Sequence, residues 1–189
     1  MSESKNTIEV FNPATGEKVD EVRAYTAPEC QQAIERARQA QRRWEATSLQ
    51  DRVRVIRRFR DLLIDRAEEV CEVITRENGK VLQESFQMEI FGIIDLATYF
   101  ASRAQGILAP KGLPLHLLKH RRSYLHYRPR GVVLVISPWN FPFSIPYGEV
   151  IMALLAGNAV VLKPASLTPL ACLLGREIFD EAGLDADLF

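Results

Sequence analysis

The chain is poor in the residues that usually announce a chemistry. Of 189 residues, three are cysteine and three are histidine. Cys30, Cys71 and Cys172 lie far apart and are odd in number, with no C-x-x-C and no Cys/His spacing. That excludes a recognisable zinc site and a disulfide framework, so no metal is expected. His116 and His120 are four apart but lack a third ligand. Reduced thiols in the cytoplasm fit this usage best. Net charge is absent as well. Twenty-four basic side chains balance 24 acidic ones, so no global field draws the chain to nucleic acid or to a membrane surface. No apolar run approaches a membrane span. The opening MSESKNTIEV is polar and carries no apolar signal core. A G-x-G-x-x-G turn, the usual cradle for a dinucleotide, is also missing.

What is present suits a soluble globular protein of one large domain or two small ones, with 47% hydrophobic and 25% charged residues. Arginines crowd residues 36–60 and again 121–130. Such runs are most simply a solvated helix face and a strand edge; an interaction scaffold is the alternative. The stretch IEVFNPATGEKVDEV alternates about two turn signals and predicts a hairpin, Ile8 to Val10 and Val19 to Val22. Thr26 with Glu29 and Ser48 with Asp51 are capping boxes. The first predicts a helix from about Pro28 to Trp44. The second opens a long helix whose stripe Val53, Ile56, Phe59, Leu63, Ala67, Val70 and Ile74 is buried, with the arginines facing water. Asn78-Gly79 breaks it. Helical spacing resumes from Val81 to Arg103, with Phe86, Ile90, Ile93, Ala97 and Phe100 on one face. Gly106, Pro110, Gly112 and Pro114 mark an irregular connection. RSYLHYRPR predicts a strand from Ser123 to about Arg128.

The segment from Val132 to Ser166, VVLVISPWNFPFSIPYGEVIMALLAGNAVVLKPAS, carries most of the functional information. GVVLVIS and AVVLK are short continuous apolar runs, the pattern of parallel strands covered on both faces. Ile145 to Leu155 is a helix between them, ended by Gly157-Asn158. A further helix runs from Thr168 to Ala182, with Gly183 as its C-cap. Strand, helix, strand, helix is a βαβ unit with a right-handed crossover. Ligands of such sheets sit beyond the carboxyl ends of the strands, where Asn140 and Lys163 fall. The turn between them holds Pro138, Pro142 and Pro146, which have no N–H to donate. It therefore cannot cradle phosphate in the usual way. The prolines instead fix a rigid path for Trp139 and Asn140.

SPWNFP, ALLAGNAVVLKPAS and TPL, in this order and preceded by YRPRGVV, resemble the aldehyde dehydrogenase superfamily. FNPATGEKV and the helices up to Gln105 resemble its N-terminal region, so the likeness runs over nearly the whole chain from about Ile8. The resemblance implies an α/β fold, in which a β-hairpin and N-terminal helices lead into the first βαβ unit of a Rossmann-like parallel sheet. Residues 1–189 would be the N-terminal part of the cofactor-binding domain, with about 121–130 a strand of an oligomerisation element and the catalytic domain absent. The family oxidises an aldehyde to a carboxylic acid through a thiohemiacetal, with NAD or NADP taking the hydride. By resemblance, Asn140 is a catalytic donor to the oxyanion. Ile136, Ser137, Pro138, Trp139, Asn140, Lys163, Pro164, Ala165 and Ser166 would hold the cofactor, Lys163 through the adenosine ribose. Phe141, Ser144 and Ile145 match positions near the aldehyde tunnel. Serine at 166, where NAD-preferring members often carry glutamate, implies tolerance of NADP, as in semialdehyde-type members. The nucleophilic cysteine, general-base glutamate and glycine turn of the family are not found. Cys30, Cys71 and Cys172 are expected to be structural. Two readings follow: the N-terminal part of an NAD(P)-dependent dehydrogenase, homo-oligomeric in its full-length form and acting on a small-molecule aldehyde, or an inactive cofactor-binding remnant.

Overall fold

The computed structural model describes residues 7–189. Strands β1 (Thr7–Phe11) and β2 (Lys18–Arg23) form the expected antiparallel hairpin. Helix α1 spans Ala27–Ala46, and its N-terminus is closed by the Glu29 carboxylate, which accepts the Thr26 backbone N–H at 2.8 Å. Helix α2 (Leu49–Asp65) begins where Ser48 Oγ accepts the Asp51 N–H at 3.1 Å. The single long helix expected after Ser48 is two helices. It bends at Arg66, and α3 spans Ala67–Asn78. The guanidinium of Arg66 sits at the bend and bridges Glu69 to Glu181, tying the turn to the last helix of the chain. Gly79 closes α3 at φ +86, a conformation that costs glycine little.

The expected helix from Val81 is interrupted in a different way. A short α4 (Leu82–Glu84) runs into a π-helical turn, Ser85–Ile90, before α5 (Phe91–Leu108). The wider turn shifts the buried stripe by one residue. Phe86, expected on the inner face, is exposed, whereas Ser85, Glu89 and Ile90 are all fully buried. The irregular connection that follows contains a strand missed in the sequence, β3 (Lys111–Leu113). It pairs antiparallel with β4 (Ser123–Leu125), which is shorter than the stretch to Arg128 expected for it.

Strands β5 (Val132–Ile136) and β6 (Ala159–Lys163) are parallel, in register from Val132 opposite Ala159 to Ile136 opposite Lys163. Helix α6 (Ser144–Leu155) joins them, and α7 (Leu170–Glu181) follows, with Gly183 at φ +86 beyond it. Burial of both strand faces is not observed. Val135 is buried, but Leu134 is 60% and Ile136 is 67% exposed. Helix α7 packs chiefly on α2 and α3, whereas α1 and α6 pack on the strands.

The core lies where α2, α6 and α7 meet. Phe59 and Phe179 stack at 3.8 Å between ring centroids, and Phe143 stacks on Tyr147 at 4.4 Å. Tyr147 is wholly buried, and its hydroxyl donates to the Cys172 carbonyl at 2.5 Å. This close approach demands glycine at 175, because a Cβ there would meet the Tyr147 ring at 2.3 Å. The Gly175→Ala substitution is therefore expected to lower stability by about 2–3 kcal/mol, since neither backbone nor stacked ring can yield cheaply. Urea unfolding monitored by circular dichroism measures it, and an unchanged midpoint would contradict the packing described.

Candidate functional site

The site is the loop of residues 137–143 and the segment after β6, which lie side by side at the carboxyl end of the parallel pair. Ser137 N–H donates to the Lys163 carbonyl at 3.1 Å and so joins the two segments. Beyond that bond the loop turns away from the sheet, and its shape is set by side chains from elsewhere. Asn78 Nδ2 donates to the Trp139 carbonyl at 2.8 Å. Lys80 Nζ donates to the Asn140 carbonyl at 2.6 Å and lies 4.2 Å over the Phe141 ring. Cys172 Sγ donates to the Pro142 carbonyl at 3.1 Å. Helix α6 then starts on a buried anion: Glu89 accepts the N–H groups of Phe143, at 3.2 Å, and Ser144, at 2.8 Å. The other Glu89 oxygen pairs with Lys80.

Helix α7 has a matching anchor. Glu77 accepts the Leu170 N–H at 2.7 Å and the Ala171 N–H at 2.8 Å. Both helices that follow the parallel strands thus have their N-termini filled by a buried carboxylate. A helix N-terminus is the ordinary phosphate site of such sheets, because its free N–H groups and dipole favour an anion. Here two of those donors on each helix already face a carboxylate of the protein.

The far end of α6 is fixed too. Trp44 Nε1 donates to the Leu154 carbonyl at 2.9 Å, Arg52 to Leu155 at 3.0 Å and Gln41 to Gly157 at 3.0 Å. Arg52 is therefore not one of the water-facing arginines expected on α2. Asn158 accepts the Arg130 and Gly131 N–H groups at 2.6 and 3.1 Å and so places the start of β5.

The residues singled out in the sequence fall as follows. Trp139, Asn140, Lys163 and Ser166 are exposed at the strand ends, together with Ile136. Ser137 is buried, and Pro138, Pro164 and Ala165 are half-buried. Among the described residues Lys163 Nζ reaches only the neighbouring Pro164 carbonyl, at 3.1 Å. Of the three residues assigned to the aldehyde tunnel, Ile145 is exposed. Phe141 lies beneath Lys80, and Ser144 is tied to Glu89 through its N–H. Sequence reasoning missed Asn78, Lys80, Glu77 and Glu89. An acidic residue on an otherwise apolar helix stripe was the available signal for Glu89, masked by the π-turn. Two of the three thiols are unsuited to attack. Burial pushes Cys172 well above the ordinary thiol range, and Glu77 pushes it further, with Ser137 acting the other way and Glu89 adding to the rise. Burial, helped by Glu68, also raises Cys71. Cys30 is exposed on the first turn of α1.

The aldehyde dehydrogenase family profile matches residues 1–189, and the chain belongs to that family. It is 38% identical over 187 residues to a provisionally named NADP(+) succinate-semialdehyde dehydrogenase of Mycolicibacterium smegmatis, covering 99% of this chain and 35% of that protein. Among solved structures, a succinate-semialdehyde dehydrogenase from Burkholderia pseudomallei superposes with a TM-score of 0.90 at 33% identity, over 98% of this chain and 38% of that one. An NAD-dependent benzaldehyde dehydrogenase from Corynebacterium glutamicum gives 0.88 at 31%, over 99% and 40%. The chain thus spans little more than a third of the length of these relatives. The relatives include both NADP- and NAD-dependent dehydrogenases. No helix among the described residues is long and apolar enough to cross a membrane.

Glu77 yields a pH prediction. Burial raises its carboxyl from 4.5 to about 7, outweighing the Ala171 and Leu170 N–H bonds that favour the charged form. Below about pH 4.5 the group is protonated in both the folded and the unfolded chain. Between about 4.5 and 7 the unfolded chain releases its proton first, so stability falls as pH rises through this window. The fall is on the order of 2–3 kcal/mol. In Glu77→Gln that fall should disappear. Urea unfolding of both proteins at pH 5 and pH 8 checks it, and equal pH slopes would refute the assignment.

Proposed function

We propose that these residues form the ribose-binding and oxyanion-stabilising half of an NAD(P)-dependent aldehyde-oxidising site. The carrying observation is the placement of Asn140. It is exposed at the end of β5, on a loop clamped by Asn78, Lys80 and Glu89, beside the strand that ends in Lys163. An amide carried on a backbone held this firmly can donate to an oxygen that gains negative charge, with little reorganisation of the loop during the reaction. Lys163 is exposed and bonded only to its neighbour's carbonyl, so its ammonium is available to the two ribose hydroxyls of an adenosine. Ile136 and Trp139 offer apolar surface beside it. The nicotinamide cofactor, when bound, supplies the hydride acceptor. Neutral Ser166 neither repels a 2′-phosphate nor demands a free 2′-hydroxyl, which supports use of NADP as well as NAD.

The substrate is a small-molecule aldehyde, and a semialdehyde is favoured by two of the relatives. Ile145 is the best placed of the three tunnel candidates. We place the nucleophile and general base in the remainder of a longer polypeptide, because Cys71 and Cys172 are buried with raised thiols. Alone, residues 1–189 would be the N-terminal part of a cofactor-binding domain without turnover. The β3–β4 ribbon shows Leu117, Tyr124 and Tyr127 to solvent, which supports the segment 121–130 as an element of homo-oligomer assembly. Three unpaired cysteines agree with a cytoplasmic setting.

Calorimetry with NAD and with NADP, on this chain and on Lys163→Ala, tests the reading. Binding of both cofactors with similar affinity, lost in the variant, is expected. Equal binding by the variant would remove Lys163 from the site, and strong rejection of NADP would refute the role given to Ser166. In a full-length, active enzyme, Asn140→Ala should lower kcat by on the order of a hundredfold with little change in cofactor affinity, measured by steady-state kinetics.

A further inference from the structure

We propose that Lys80 and Glu89 are positioning residues for the Asn140 amide, acting through the backbone of the loop that carries it. The proposal takes its functional meaning from the reading of Asn140 above, but its geometry stands apart from that reading. Prolines at 138 and 142 deprive the loop of backbone donors, so it cannot brace itself as an ordinary turn does. Its carbonyls instead face side-chain donors from Asn78, Lys80 and Cys172.

Lys80 is the centre of this arrangement. An ammonium has three protons. Lys80 meets three acceptors: the Glu89 carboxylate, the Asn140 carbonyl and the face of the Phe141 ring. Its side chain is 11% exposed and that of Glu89 is 0% exposed, so water competes little for either charge. Glu89 in turn holds the first two N–H groups of α6. One ion pair therefore grips the loop on both sides of Phe141, at the carbonyl of Asn140 and at the amides of Phe143 and Ser144. Lys80 holds the peptide after Asn140 and Asn78 the peptide before it, so with Lys80 in place the direction in which the Asn140 side chain leaves the backbone is fixed.

The contrast with Glu77 shows that this is more than helix capping. Glu77 makes a like pair of bonds at the start of α7 with no cation beside it among the described residues. Capping alone does not call for a lysine. Lys80 supplies what capping leaves out, a bond to the residue that presents the amide. The π-turn serves the same end. It brings Glu89 and Ile90 inward together, so the helix keeps its apolar packing while offering a carboxylate to the loop.

The test uses the 189-residue chain labelled with nitrogen-15, in wild-type, Lys80→Met and Glu89→Gln forms. The readouts are the Asn140 side-chain amide resonances and the hydrogen exchange of the Phe143, Ser144, Val135 and Val160 amides. In both variants the two Asn140 resonances should move and draw together. The Phe143 and Ser144 amides should exchange at least tenfold faster, while Val135 and Val160 in the sheet keep their protection. Unmoved Asn140 resonances in either folded variant would overturn the proposal. So would a loss of protection as large in the sheet as in the loop, which would reduce the pair to a general packing role. Because no cofactor is present in this experiment, its failure is distinct from failure of the calorimetry above.

Discussion

A carboxylate buried at the first turn of a helix is the constraint around which this molecule is arranged. Glu89 holds the start of α6, and Trp44, Arg52 and Gln41 hold its end. A helix fastened at both termini is a strut whose length and direction are set. The loop before it and the strand after it then have little freedom. Such a carboxylate is costly to desolvate and is tolerated because a cation and two N–H groups meet it; leaving a buried charge unpaired costs on the order of 3–5 kcal/mol. The hydrophobic core answers to the same strut, since Phe143 and Tyr147 on α6 join Phe59 and Phe179 in one aromatic stack.

Filling both helix N-termini with protein carboxylates changes what the parallel pair can bind. The fold offers its usual ligand position at the strand ends, but two backbone donors at the start of each helix face a protein carboxylate there. Beside them the strand ends show the exposed apolar side chains of Ile136 and Trp139 and the exposed Lys163.

Much of this was legible in the sequence, and the failures are instructive. Hairpin, capping boxes, the β5–α6–β6 unit and the Gly183 terminus all follow local rules of period and cap chemistry, and all appear. Motif recognition found the family from PWNFP and KPAS. The bend at Arg66 escaped notice because the apolar spacing runs through it unbroken, while the ion pair found at the bend is with Glu181, far along the chain. The apolar runs suggested cover on both strand faces, yet Leu134 and Ile136 are exposed; where α7 packs, on α2 and α3, is a tertiary choice that no short window contains. At the site, Asn140 and Lys163 announced themselves, whereas Lys80, Glu77 and Glu89 did not. Supporting groups are visible only once the chain brings residues more than 50 positions apart into contact.

The π-turn at Ser85–Ile90 also acts as a phase shift in the helix. A π-turn is geometrically an α-helix with one residue too many, so it rotates the faces on its two sides by about 100° relative to each other. On one side Ser85 lies inside and Phe86 outside; on the other Ile93, Ala97 and Ala101 pack in the core. One extra residue in the spacing is thus enough to let a single helix present a carboxylate to the 137–143 loop and an apolar stripe to the core.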